Sequence, residues 1–143
     1  MLTHEYTYAY AAVEPLSGAM DTLILPQVNT HCMQIFLDEV AQRHPENRIV
    51  MGLDGAGWHS SKQLIAAPNM RLLSLPPYAP VLNPVEHIWD ELWEKCFHNK
   101  AFHSIDALED DLAVGLLAME SAPAVIKSIA AWPWIIDVLL KWQ

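Results

Sequence analysis

The feature that most constrains the fold is a short, nearly continuous apolar run, Arg48-Ile-Val-Met-Gly-Leu-Asp54, which follows a predicted helix. A run of this length after a helix is typical of a buried strand in a parallel sheet. It leads into Asp54-Gly-Ala-Gly57, and small residues of this kind allow a ligand or another backbone to come close. Because ligand sites in such sheets gather beyond the carboxyl ends of strands, Asp54 is the first candidate site residue.

The segments before this run predict a hairpin and a helix. Residues 6–13 and 19–25 are rich in β-forming side chains and are separated by a turn containing Gly18, so we expect two antiparallel strands. Asn29 or Thr30 can cap a helix that ends near Arg43. Its predicted apolar face is formed by Met33, Phe36, Leu37 and Val40.

The segments after the run complete an α/β pattern. Ser60 or Ser61 can cap a short helix toward Ala66, and residues 70–75 form another short strand. A helix is predicted from Pro84 to about residue 97, and Ser104 can cap one that ends near residue 119. The remainder is predicted to be helical with a break at Pro133. Strands interleaved with helices in this order predict a mixed sheet flanked by helices.

Length and composition predict one packed domain over residues 1–143, with residues 104–143 as C-terminal helices that pack on the core. The chain has 143 residues, of which 52% are hydrophobic, and six tryptophans. No apolar stretch reaches the length of a membrane span, the N-terminus lacks a signal sequence, and Cys32 and Cys96 form no CxxC pair. These features predict a cytoplasmic protein with reduced thiols and no membrane partner.

A second acid stands out after a proline-rich loop. Glu86 falls in the first turn of the helix predicted from Pro84. Taken singly, each acid also has a purely structural interpretation. Glu86 would complement the helix dipole, and Asp54 would form a turn in its Asp-Gly pair. The sequence around both residues argues for more than these structural roles.

The loop and helix Leu75-Pro-Pro-Tyr-Ala-Pro-Val-Leu-Asn-Pro-Val-Glu-His-Ile-Trp89 is similar to the signature of bacterial insertion-sequence transposases related to the mariner group. Asp54-Gly-Ala-Gly-Trp-His59 resembles the segment around the second acid of the same DDE family. Asp54 and Glu86 stand 32 positions apart, which suits the second and third acids of its catalytic set. The resemblance spans essentially the whole chain.

The resemblance implies a ribonuclease-H-like sheet that presents carboxylates to two divalent metal ions, normally Mg²⁺, with Mn²⁺ as an alternative. Asp54 and Glu86 would then be both catalytic residues and metal ligands. Cleavage of a phosphodiester requires an activated nucleophile on one side and a stabilised leaving oxygen on the other. Two hard cations about 3.5–4 Å apart meet both needs, and carboxylates are their natural ligands.

Several neighbours of the two acids are predicted to support the site. Trp58 and His59 follow Asp54 and either contact DNA or pack beneath the site, and Lys62 is a candidate phosphate contact, with simple solvation as its alternative. Asn83 and Pro84 are expected to set the entry of the Glu86 helix, because proline fixes φ and asparagine can cap.

The expected domain is N-terminally truncated. In the family the first aspartate lies on a strand before the hairpin, and Glu5 and Glu14 fall on the wrong elements to replace it. The net charge of −9, from 17 acidic and 8 basic side chains, is awkward for DNA binding, so basic surface is expected from elsewhere. Expected partners are transposon-end DNA in the intact protein, and a second copy or a complementing N-terminal fragment, because an unpaired hairpin edge favours association.

Two functions follow from these features. The first is the catalytic part of a transposase, inactive alone. The second is a non-catalytic dimerisation or regulatory remnant that interferes with intact transposase by mixed association. An unrelated hydrolase using Asp54 and His59 ranks last, because the chain has no nucleophile elbow and no metal-ligand spacing.

Overall fold

The computed structural model describes residues 7–53, 63–74, 84–92 and 104–130. Contacts divide the chain into two compact units. The hairpin unit comprises residues 1–24 and 84–143, and the crossover unit comprises residues 25–83. In chain order the elements are β1 (Tyr8–Glu14), β2 (Ala19–Leu25), α1 (Thr30–Arg43), β3 (Ile49–Leu53), β4 (Met70–Ser74), α2 (Val85–Leu92), α3 (Ile105–Glu120) and α4 (Pro123–Ala130). The α/β class predicted from the sequence is confirmed, but the described strands form two two-stranded sheets, β1–β2 and β3–β4, in place of the one mixed sheet that was predicted.

The hairpin unit begins with the β1–β2 pair, joined by a four-residue turn. Only antiparallel strands can be joined by such a short connection. The amide of Gly18 closes the turn by donating to the carbonyl of Glu14 at 2.8 Å, and Gly18 has a φ of +78°. A β-carbon on Gly18 would lie 1.9 Å from the carbonyl oxygen of Pro123, so this turn meets the start of α4 at a point where only glycine fits.

An apolar core joins four elements of the hairpin unit. Met20 of β2, Leu116 of α3 and residues of α2 and α4 form one buried cluster. At its centre Ile88 and Ile126 are both 0% exposed. Burying side chains of this size contributes roughly 1.5–3 kcal/mol each, so this cluster is the main source of stability in the unit. A polar contact adds to it, because the buried Thr22 hydroxyl donates to the Glu120 carboxylate.

In the crossover unit, β3 and β4 pair in parallel, with Ile49 opposite Met70 and Leu53 opposite Ser74. This confirms that the apolar run is a parallel strand, but its predicted burial is wrong, because only Leu53 of β3 is buried and Val50 is 62% exposed. Asn29 caps α1 by accepting a hydrogen bond from the amide of Cys32 at 2.8 Å. The predicted apolar face of α1 is buried as expected, and it comprises Met33, Phe36, Leu37 and Val40 together with Cys32 and Ala41.

The predicted short helix toward Ala66 is wrong in the part of it that is described. Gln63 lies in a turn, and residues 64–67 have no regular structure. The physical reason is that the amide and the carbonyl of Ile65 both bond to the side chain of Gln34. A backbone held in this way cannot also make helical hydrogen bonds.

The predicted helix boundaries agree well elsewhere. Ser104 caps α3 by accepting from the amide of Ala107 at 3.1 Å, and α3 ends one residue beyond the predicted end. The part of α2 beyond residue 92 and the break at Pro133 lie outside the described residues. Within the described ranges no single helix is long and apolar enough to cross a membrane, although α3 and α4, bent by 87°, reach that length and composition together.

Candidate active site

Glu86 lies in the first turn of α2 and is exposed. The helix buries Ile88 and Leu92 in the core of the hairpin unit, and this fixes which side of α2 faces solvent. Residues four positions apart share a helix face, so Asp90, also exposed, lies one turn beyond Glu86. The structure therefore places the predicted third acid on the solvent side of a well-packed helix, where a carboxylate is accessible to ligands.

Pro84 stands immediately before α2, as predicted. Its carbonyl accepts a hydrogen bond from the amide of His87 at 3.2 Å, which forms the first turn of the helix. Proline at a helix start has a φ already suited to the helix and lacks an amide that would need a partner. This geometry supports the predicted role of Pro84 in setting the entry of the helix. Asn83, the other residue given that role, lies outside the described residues.

The second predicted acid follows β3 directly. Leu53, the last residue of β3, is 7% exposed and pairs with Ser74 of β4, so both strands end at the same edge of their sheet. Asp54 itself lies outside the described residues, and so do Trp58, His59 and Lys62. Their roles stay predictions.

Polar side chains hold the residues that follow Gln63 against α1. The Gln34 amide bonds to both main-chain groups of Ile65, and the Asn69 amide lies against the carbonyl groups at the end of α1. These two residues were not predicted to matter beyond the expected turn at Asn69. Side-chain-to-backbone bonds between distant segments leave no periodic signal in a sequence.

The described residues alone do not form a complete metal site. Among them, no group of three or more His, Cys, Asp or Glu side chains could hold a metal ion. The chemistry of the one described candidate does fit, because the carboxylate of Glu86 is a hard oxygen donor of the kind that Mg²⁺ and Mn²⁺ prefer. Asp54, the other predicted metal ligand, lies outside the described residues.

Comparisons with known proteins show the family of the chain. Residues 3–109 match a family model described as DDE superfamily endonuclease. An uncharacterised protein of Sinorhizobium fredii strain NGR234, y4pE/y4sA, is 32% identical over 130 residues, which is 90% of this chain and 96% of that protein. No solved structure matches the chain. The family match includes β1 through α2 and both segments that carry the predicted acids.

Proposed function

Because the chain belongs to the DDE superfamily of endonucleases, we propose that it is the catalytic part of a DNA transposase of the mariner-related insertion-sequence group, built on a ribonuclease-H-like fold. The observation that carries this proposal is the exposed Glu86 in the first turn of α2, within the matched residues and after Pro84. A glutamate that served only to fill a helix face would not need the long proline-rich motif that precedes it.

The proposed catalytic residues are Asp54 and Glu86, each acting as a ligand for Mg²⁺ or Mn²⁺. Such ions, when bound, activate the attacking water or 3′-hydroxyl and stabilise the leaving oxygen of the phosphodiester. The contribution of this chain is to hold its carboxylates in place. The α2 helix does so for Glu86, because Ile88 and Leu92 fix its rotation in the core.

We further propose that all 143 residues belong to one catalytic domain, with the C-terminal helices packed on its core, and that the chain self-associates through the hairpin edge. A clean monomer at high concentration in a sedimentation experiment would contradict the self-association.

DNA is the proposed substrate, and Trp58, His59 and Lys62 are the proposed contacts in this chain. The net charge of −9 opposes tight binding to phosphates, so most of the affinity for transposon ends has to come from basic surface elsewhere in the intact protein. The chain alone is therefore expected to bind DNA weakly and with a shallow salt dependence, because few cationic side chains are available to contact phosphates.

Metal binding tests the proposal most directly. Mg²⁺ and Mn²⁺ are titrated into the purified chain by calorimetry, with Asp54→Ala and Glu86→Ala as test variants. Asp110→Ala is the matched control, because Asp110 is an exposed acid on α3 outside the proposed site. We expect binding by the wild type and the control, and loss of binding in both test variants.

The opposite result has a definite meaning. A wild-type chain that binds neither ion would contradict a surviving metal site, and the non-catalytic dimerisation or regulatory remnant would then be the better description. In that case mixed association with an intact relative should inhibit the relative's cleavage of transposon-end DNA.

A further inference from the structure

The sheet formed by β3 and β4 has one buried and one exposed face. Successive side chains of a strand point to opposite faces, and Leu53 and Met70, which share one face, are both buried. On the opposite face Val50 and Leu73 are exposed, and so is Gly52, which pairs with Leu73 across the strands. Parallel strands normally have both faces covered by helices. The exposed face of this sheet is therefore of a kind that a helix covers.

Two arginines lie on the same exposed face. Arg71 stands opposite Val50 in the register of the strands, and Arg48 immediately precedes β3, two residues before Val50. Both side chains are exposed, and neither forms an ion pair or a hydrogen bond within the described residues, whereas Arg43 pairs with Glu39 on α1. Basic side chains thus lie toward the start of the strands and aliphatic ones toward their end. The basic sheet face comprises Arg48, Val50, Gly52, Arg71 and Leu73.

Helix α3 carries an exposed stripe of the opposite charge. Residues three or four positions apart share one face of a helix, and four exposed residues of α3 have this spacing. The acidic α3 stripe comprises Asp106, Asp110, Val114 and Leu117. Val114 is 67% exposed and Leu117 is 62% exposed, and neither aspartate side chain forms an ion pair or a hydrogen bond in the part of the chain that the structure describes. The acids lie toward the start of the stripe and the aliphatic side chains toward its end.

The basic sheet face and the acidic α3 stripe match in charge, in order and in length. Both have their charged residues first along the chain, so a helix parallel to the strands sets acids against arginines and aliphatic side chains against aliphatic ones. At helical rise the stripe from Asp106 to Leu117 is about 16 Å long, and at strand rise the face from Arg48 to Gly52 is about 13 Å long. Gly52 has no side chain, which leaves room for a helix to come close.

We propose that the acidic α3 stripe of one copy of the chain docks on the basic sheet face of a second copy. The charge pairs orient the helix, and burial of the aliphatic side chains stabilises the contact. DNA fits this face less well, because phosphates would leave Val50 and Leu73 in water. The contact joins two different surfaces head to tail, unlike the pairing of two hairpin edges proposed above. It requires neither metal nor DNA and goes beyond the proposed function.

Reversing the charge on each surface tests the contact. Self-association of the 143-residue chain is measured by sedimentation velocity over a range of concentrations at low salt, for the wild type, Arg71→Glu and Asp110→Lys. Lys127→Glu is the matched control, because Lys127 is an exposed cation on α4 outside both surfaces. We expect each test variant to weaken association about tenfold and the control to change it less than about twofold. Unfolding midpoints of all four proteins are recorded alongside.

A mixture of the two test variants gives the sharpest result. Mixing Arg71→Glu with Asp110→Lys brings the reversed sheet face of one variant against the reversed α3 stripe of the other, so that opposite charges meet again. The two unaltered surfaces match as well. We expect the equimolar mixture to associate about as tightly as the wild type, although each variant alone associates weakly. A mixture that associates no better than its components overturns the inference, because a contact within one chain or between two hairpin edges would not respond to mixing.

The other outcomes separate this contact from the alternatives. Association that neither test variant weakens overturns the inference and leaves the hairpin edge as the proposed contact, and a wild-type chain that stays monomeric at high concentration overturns both. If Arg71→Glu weakens binding of a short DNA duplex and leaves self-association unchanged, the basic sheet face is a nucleic-acid contact and the inference is again overturned. A wild-type chain that binds neither Mg²⁺ nor Mn²⁺ contradicts the proposed function alone, because neither surface contains a proposed metal ligand.

Discussion

The contacts within the hairpin unit differ in kind from the contacts within the crossover unit. In the hairpin unit, side chains from β2, α2, α3 and α4 meet in one apolar cluster, with Ile88 and Ile126 fully buried. The crossover unit buries the apolar face of α1, but the chain between β3 and β4 is held over residues 65–69 by the amides of Gln34 and Asn69. Both units therefore depend on burial, and the crossover unit adds directed hydrogen bonds at its exposed connection.

The difference is instructive for the proposed site. The proposed metal ligand Glu86 lies on a helix whose opposite face is buried in the core of the hairpin unit. In the crossover unit none of residues 65–69 is buried, and the side-chain amides of Gln34 and Asn69 hold this backbone without covering it.

The largest effect is expected for Gly18→Ala in the hairpin unit. The new β-carbon would lie 1.9 Å from the Pro123 carbonyl oxygen, and alanine disfavours a φ of +78°. We expect a loss of at least about 3 kcal/mol in the free energy of unfolding, measured by urea denaturation. Gly52→Ala is the control, because Gly52 is exposed in β3 and has no positive φ. Equal stabilities of the two variants would mean that the turn does not meet α4 closely.

The next largest effect is expected for Ile126→Ala, which opens a cavity in the core of the hairpin unit. Ile126 is 0% exposed, and truncation at such a site costs about 2–5 kcal/mol. The neighbouring Val125 is 41% exposed, so Val125→Ala should cost less than about 1 kcal/mol. Thermal unfolding measures both. Similar losses in the free energy of unfolding for the two variants would contradict the view that burial stabilises this unit.

A smaller effect is expected for Asn69→Ala in the crossover unit. The variant deprives the carbonyl groups of His44 and Asn47 of a donor, at a cost of about 1–3 kcal/mol. Asn47→Ala is the control, because the backbone of Asn47, and not its side chain, takes part in these bonds. Chemical denaturation compares the two variants. A larger cost for Asn47→Ala would show that the turn matters more than the Asn69 amide.

The smallest effects are expected at the two helix caps, one in each unit. Asn29→Ala removes the acceptor for the Cys32 amide, and Ser104→Ala removes the acceptor for the Ala107 amide. Each should cost about 1 kcal/mol, because each leaves one helix amide without its side-chain partner. Circular dichroism during urea unfolding measures both. A cap that costs nothing would indicate that its helix is ordered by packing alone.

Most of the fold was predictable because its signals are local. The apolar spacing in α1, the caps Asn29 and Ser104, and Gly18 in the hairpin turn all act within a few residues of their own position. The short helix toward Ala66 was predicted wrongly, because a distant residue, Gln34, takes the hydrogen bonds that the helix would need. Of the predicted site, Pro84 and Glu86 lie at the start of α2 as expected, but the roles of all its members stay predictions.

The sequence by itself determined the family, the order of the elements and the identity of the candidate acids, since each depends on residue type and local spacing. Tertiary structure decided which side of α2 faces solvent, how close Gly18 comes to Pro123, and which backbone Gln34 and Asn69 hold. The physical reason is the distance along the chain over which each kind of interaction acts. Propensity and capping act along the chain, whereas packing and side-chain-to-backbone bonds join residues as far apart as 34 and 65, whose proximity exists only once the chain has folded.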